Sequence, residues 1–211
     1  MNYIHSMNDG SQEKRRSTRR RERTRTEILE AARQVFASRG YHEASIAEIT
    51  ALADVAVGTF YLYFRDKDEA FDTLLQEGLE AIREQITNAV DRIPPQRVLE
   101  TTIQAIFQHA YEQSDLFRLA LTGGGKFTQT FRAQAWLTEE LTTILETQSN
   151  PSERLYYNLP LLAHFMTGMI TQGIVWWFDH DTPDPQTMTT QLLLLLRQGL
   201  PAHVFTASSE G

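Results

Sequence analysis

The sequence predicts an all-α protein, and three observations predict it. Apolar residues return every three or four positions over most of the 211 residues, no stretch of strand length alternates apolar with polar side chains, and the pattern breaks at Gly, Pro and Asn. The expected arrangement is a three-helix N-terminal domain followed by a larger helical C-terminal domain. Residues 1–20 read as a disordered arm, 21–80 as the first domain and 81–211 as the second.

The first helix is expected near 22–39, where Ile28, Ala31, Ala32, Val35 and Phe36 share a face and Gly40 supplies a stop. Ser45 stands three residues before Glu48, a capping box that opens a second helix of about eight residues carrying Ile46, Ile49, Leu52 and Ala53. A third helix is predicted from Val57 to Phe64. Asp66, Lys67, Asp68 and Glu69 then start a long helix with Phe71, Leu74, Leu75, Leu79, Ile82, Ile86 and Val90 as its apolar positions, closed by Pro94 and Pro95. Further helices are expected at 96–113, 115–121, 128–148, 152–178 and 185–199. Their breaks fall at Gly123–Gly125, at Asn150 and Pro151, and between Asp181 and Pro185.

Composition excludes several kinds of chemistry. Cys is absent, which removes disulfide scaffolds, thiolate metal sites and thiol nucleophiles together. The five leucines Leu192–Leu196 fall far short of the roughly 20 apolar residues of a membrane span, and no secretory leader is legible at the N-terminus. No membrane partner is expected, and a cytoplasmic location is. The six histidines show no pair three or four apart, so no metal and no cofactor is expected. Gly123–Gly125 with Lys126 lacks the second Gly-Lys-Ser/Thr half and the preceding strand of a phosphate loop and reads as a connector. Adjacent carboxylates such as Glu139 and Glu140 diverge on a helix, and no activated nucleophile is legible, so the chain is not expected to be an enzyme.

The net charge of −7 hides an asymmetry: residues 1–67 hold 12 Lys and Arg against 9 Asp and Glu, and the remainder 8 against 18. Eight of the twelve cations, Lys14, Arg15, Arg16, Arg19, Arg20, Arg21, Arg23 and Arg25, crowd into one segment, a pattern suited to phosphate backbones as well as to a solvated tail.

Two short helices separated by Asp54, Val55 and Ala56 have the dimensions of a helix-turn-helix, spanning 45–64. On a helical wheel Phe60 and Phe64 share one face, and Phe60 lies about 160° from Gly58 and Leu62. Phe60 and Phe64 are therefore expected to anchor the core. Gly58 and Leu62 form the outward side, with Thr59 and Tyr61 on its flanks, and Val57 is counted with them among the DNA-facing residues. Such a face matches a major groove, where apolar side chains meet thymine methyls and hydroxyls reach phosphates.

The stretch Thr24–Phe71 resembles the N-terminal domain of TetR-family transcriptional regulators. The likeness covers about residues 22–80 and rests on Ile28–Ala32, the Phe36 and Gly40 pair, Ser45–Ile49, and Gly58-Thr59-Phe60-Tyr61 followed by Phe64 and Lys67. It implies an all-helical homodimer that binds double-stranded operator DNA and releases it when a small, largely apolar effector enters the C-terminal domain. By the same resemblance Ser45 caps the second helix and touches phosphate, Thr59, Tyr61 and Tyr63 contact DNA, and Lys67 meets the DNA backbone. Arg20, Arg21, Arg23 and Arg25 belong to the same surface by charge. The chain departs from the family at Asp54, commonly Gly, at Ala56, often a Ser cap, and at Val57 and Leu62, often polar.

In the C-terminal domain Phe107, Tyr111, Trp136, Phe165 and Met169 are the expected effector contacts, although core packing fits each of them equally by position. His109 and His164 read as core histidines, and His180 as a C-terminal helix cap. The last two helices are apolar nearly all round. Leu159, Leu162 and Met166 with Leu192, Leu193 and Leu196 are expected to form a subunit interface. The competing expectation is a protein-interaction or constitutive DNA-binding module without effector response.

Overall fold

A computed structural model describes residues 5–122, 128–180 and 182–199, with the backbone alone at 5–11, 13, 122 and 128–131. Every regular element among the described residues is helical: α1 (His5–Arg39), α2 (Ile46–Leu52), α3 (Val57–Phe60), α4 (Lys67–Val90), α5 (Pro95–Glu112), α6 (Ser114–Thr122), α7 (Thr128–Gln148), α8 (Pro151–Tyr156), α9 (Leu159–Trp177) and α10 (Pro185–Gln198). The chain divides into two compact units, Met1–Gln76 and Glu77–Gly211, and α4 runs from one into the other. The expected connector Gly123–Phe127 and His203 lie outside the described residues.

In the first unit α1 buries Ile28, Leu29, Ala31, Ala32, Val35 and Phe36, a single face at helical spacing. Phe36 meets Phe71 of α4 edge-on at 5.1 Å. Gly40, at φ +79°, takes the left-handed conformation that ends α1, and its N–H returns to the Phe36 carbonyl at 2.9 Å. Where composition predicts a disordered arm through residue 20, α1 already runs from His5. Lys, Arg, Glu and Gln are good helix formers, no Pro interrupts them, and Arg23 pairs with Glu27 one turn on at 2.7 Å.

Two further expectations are corrected. The third helix is a single α-turn, Val57–Phe60, after which Leu62 N–H returns to Thr59 and Tyr63 N–H to Phe60 in tighter turns. The Ala56 side chain offers no cap to hold a longer helix. The helix expected over 152–178 is two helices. Tyr157 is extended, Asn158 caps α9 by accepting from Leu161 N–H at 3.1 Å, and Pro160 has no N–H to continue α8.

The second unit packs chiefly α7 on α9 and α5 on α10. Its core joins Ile82 and Ile86 of α4 to Ile103, Ile106 and Phe107, Leu137 and Leu141, and Ala163, Met166, Ile170 and Ile174. Gly78 of α4 lies so close to Leu116 of α6 that a Cβ there would stand 2.3 Å from Leu116 Cδ2. By length and composition α9 is apolar enough to cross a membrane. Its buried residues Ala163, Met166, Ile170, Ile174 and Trp177 make it a core helix of this unit.

Candidate nucleic-acid interface

The site begins with the cap of α2. Ser45 Oγ accepts the Glu48 N–H at 3.2 Å and donates to Glu48 Oε2 at 2.7 Å, while Ser45 N–H donates to the same carboxylate at 3.0 Å. These bonds from the Ser45 side chain and backbone, with Arg39 nearby, hold the Glu48 carboxyl below its usual range. Ser45 caps as expected, yet its hydroxyl is committed to Glu48, so a phosphate would have to compete with that bond.

The turn follows. Asp54 sits at φ +53°, a conformation Asp tolerates, and Val55 N–H reaches back to the Thr50 carbonyl at 3.0 Å. This aims α3 so that Phe60 and Phe64 are buried and face each other at 5.5 Å. Val57, Gly58, Tyr61 and Leu62 are left outside, with Leu62 72% exposed and nothing within 4 Å of where a Gly58 Cβ would stand. Thr59 and Tyr63 are half-buried beside them. Exposed Leu52 of α2 adds to the same kind of surface.

Arg20, Arg21 and Arg23 are exposed on α1, Arg23 in its pair with Glu27, and half-buried Arg25 lies over the Phe64 ring at 5.8 Å. Lys67 is placed differently from expectation. Its ammonium donates to the carbonyls of Tyr41, His42 and Ala44 at 2.8, 3.2 and 2.8 Å and rests 4.7 Å from the Tyr41 ring centre. Tyr41 in turn donates its hydroxyl to Asp68, and burial with that bond pushes the phenol well above its usual range.

In the second unit the expected effector residues have unlike surroundings. Phe107 is core, 6.3 Å from Trp177, whereas Tyr111 is exposed and stacks on Trp177 at 5.6 Å. Trp136 is half-buried under the Arg83 guanidinium, Met169 packs on the core, and Phe165 is exposed. The expected interface is corrected too: Leu159, Met166, Leu192 and Leu193 are buried within the unit, and Leu162 and Leu196 are half-buried. The apolar residues that α9 and α10 leave open are Leu161, Phe165, Trp176, Leu194 and Leu195. Apolar residues on nearly all sides of a helix cannot reveal which side meets its own core.

His109 is buried with Nδ1 2.5 Å from Gln85 Oε1, as a core histidine is expected to be. His164 is exposed instead, its ring 2.8 Å from the Pro160 carbonyl. His180 caps α9 through the Trp176 carbonyl at 2.7 Å and stacks on the Trp176 ring. Among the described residues no group of three or more His, Asp or Glu could hold a metal ion.

Residues 28–74 match the family model of bacterial regulatory proteins of the tetR family. The chain is 24% identical over 187 residues to the HTH-type transcriptional regulator YdgC of Bacillus subtilis (strain 168), covering 84% of this chain and 92% of that one. It is 33% identical over 86 residues to the HTH-type transcriptional repressor DhaR of Mycobacterium sp. (strain GP1), covering 40% and 43%. In fold it is similar to the transcriptional regulator FadR from Bacillus subtilis, solved in complex with stearoyl-CoA. The TM-score is 0.72 at 21% identity, covering 83% of this chain and 99% of that one.

Proposed function

The chain is a TetR-family transcriptional regulator with a DNA-binding helix-turn-helix, and from that premise we propose that it is a ligand-released repressor that binds a palindromic operator as a cytoplasmic homodimer. The observation that carries the DNA-binding reading is the split of residues 57–64, α3 and the turns that follow it: Phe60 and Phe64 are buried while Val57, Tyr61 and Leu62 stand open. A surface helix that spends large apolar side chains on solvent matches a major groove, where Val57 and Leu62 would meet thymine methyls and Tyr61 would reach a phosphate.

The effector belongs to the second unit. A small, largely apolar molecule fits the aromatic side chains of this unit with Met166 and Met169, and the stearoyl-CoA complex of the similar Bacillus subtilis fold supports that class. Long-chain acyl thioesters are therefore the first compounds to try. Operator fragments are selected from random DNA, and an effector titrated into free protein and into the complex is followed by Trp fluorescence, since Trp136, Trp176 and Trp177 all lie in the second unit. Linkage requires that operator weaken effector by the factor by which effector weakens operator. Equal effector affinities in the two titrations would leave a constitutive DNA-binding protein, a reading that the unlike surroundings of Phe107, Tyr111 and Phe165 favour.

The basic stretch gives a second expectation. Deleting residues 1–20 removes Lys14, Arg15, Arg16, Arg19 and Arg20 and shortens α1 well before its first core residue, Ile28. For every phosphate that these cations neutralise in the full chain, the deletion should reduce the slope of log affinity against log salt by about 0.9. A slope identical to that of the full chain would show that this part of α1 does not touch DNA.

A further inference from the structure

The three carbonyls around Lys67 carry an inference that rests on the DNA-binding reading and deepens it: we infer that Lys67 is a positioning residue, which clamps the turn between α1 and α2 and so sets the docking of the helix-turn-helix, and does not ligate phosphate. An ammonium has three N–H bonds, and here a carbonyl stands within 3.2 Å of Nζ for each. Two of the carbonyls belong to Tyr41 and His42 of the turn, and the third to Ala44, the residue before the Ser45 cap.

The electrostatics favour the same assignment. Lys67 is the first residue of α4, where the helix dipole is positive and a cation is unfavourable unless other dipoles compensate it. The three carbonyls and the Tyr41 ring face provide that compensation. Asp66, Asp68 and Glu69 flank the position in sequence, so a phosphate approaching this turn meets carboxylates as well as the cations Lys67 and Arg65, the latter already paired with Asp66 at 2.9 Å. To reach a phosphate, Lys67 would have to give up three charge-assisted bonds and leave the turn's carbonyls without them.

The clamp acts through α2. Ala44 is buried and its N–H bonds to the Gly40 carbonyl at 3.2 Å, so the turn is pinned to the end of α1 on one side and to α4 on the other. Tyr41 adds a second tie through its bond to Asp68 and its 4.6 Å ring contact with Phe71. α2 starts directly from this turn and packs on α3, so loosening the turn moves the recognition surface while every DNA-facing side chain stays in place on it.

Arg keeps the charge but replaces a compact, three-way donor by a planar fork, which a phosphate accepts and three converging carbonyls do not. The test therefore compares the full-length wild type with Lys67→Arg and Lys67→Met on selected duplex operator at several salt concentrations, well below the melting temperature of each variant. Both variants are expected to bind at least tenfold more weakly with an unchanged salt slope, and both to exchange the amide hydrogens of residues 44–50 faster. A Lys67→Arg variant with wild-type affinity, or a Lys67→Met slope smaller by about 1, would make Lys67 a phosphate ligand and overturn the clamp. Should the wild type bind no DNA, the proposed function fails by itself. Amide exchange then decides the clamp, since unchanged protection of 44–50 in Lys67→Met refutes it.

Discussion

Phe64→Ala is expected to lower the stability of the first unit by about 3–5 kcal/mol, the cost of truncating a buried aromatic, while Tyr61→Ala leaves stability nearly unchanged and abolishes most operator binding. The two residues are three apart in the chain and opposite in surroundings. Phe64 is 3% exposed, packs on Phe60 and lies beneath the Arg25 guanidinium, so its loss opens a cavity between Phe60 of α3 and Arg25 of α1. Tyr61 is 55% exposed, and its ring touches Phe60 by one edge only. Thermal melts of both variants, with operator affinities measured on folded protein, separate the two roles. A Tyr61→Ala variant that melts early, beside a Phe64→Ala variant of wild-type stability, would reverse the assignment of inner and outer faces and with it the proposed DNA surface.

That assignment is legible in the sequence because it depends only on local geometry. The split between buried Phe60 and exposed Leu62 survives although α3 is a single α-turn and the chain continues through tighter turns. The Ser45–Glu48 box and the left-handed Asp54 are legible for the same reason, each being decided within four or five residues. Lys67 is not, since its partners lie 23–26 positions away and no local pattern announces a carbonyl that needs a donor. The helical start at His5 is hidden by charge: a basic run reads as solvated chain, and its helix-forming propensity carries no periodic signal. The break between α8 and α9 is announced by Asn158 and Pro160 but outweighed by the apolar residues around them. In α9 and α10 hydrophobicity marks burial correctly and cannot say against what. Leu192 and Leu193 are core, while their neighbours Leu194 and Leu195 are open.

The open side of those two helices gives the second large effect. On α9 the exposed positions Leu161, Phe165, Gly168, Gln172 and Trp176 recur at intervals of three and four, and α10 adds Leu194 and Leu195. Single exposed apolar residues are ordinary, but a stripe with two aromatic side chains is the surface a second copy would cover. The double variant Phe165→Glu, Leu194→Glu is therefore expected to fold as a monomer, because neither side chain belongs to the core, whereas Leu193→Glu, which forces a charge into it, is expected to unfold the unit. The monomer presents one recognition surface where a palindrome about 34–36 Å between half-site centres needs two. Without the second recognition surface, operator affinity falls by roughly 10²–10⁴ although every DNA-facing residue is intact. Light scattering gives the mass, and titration against full and half operators gives the affinities. The double variant should bind a half operator as well as the wild type does, and the full operator no better than the half. If it stays dimeric and keeps its full-operator affinity, this stripe is not the subunit interface, and the apolar excess of α9 and α10 serves some other association.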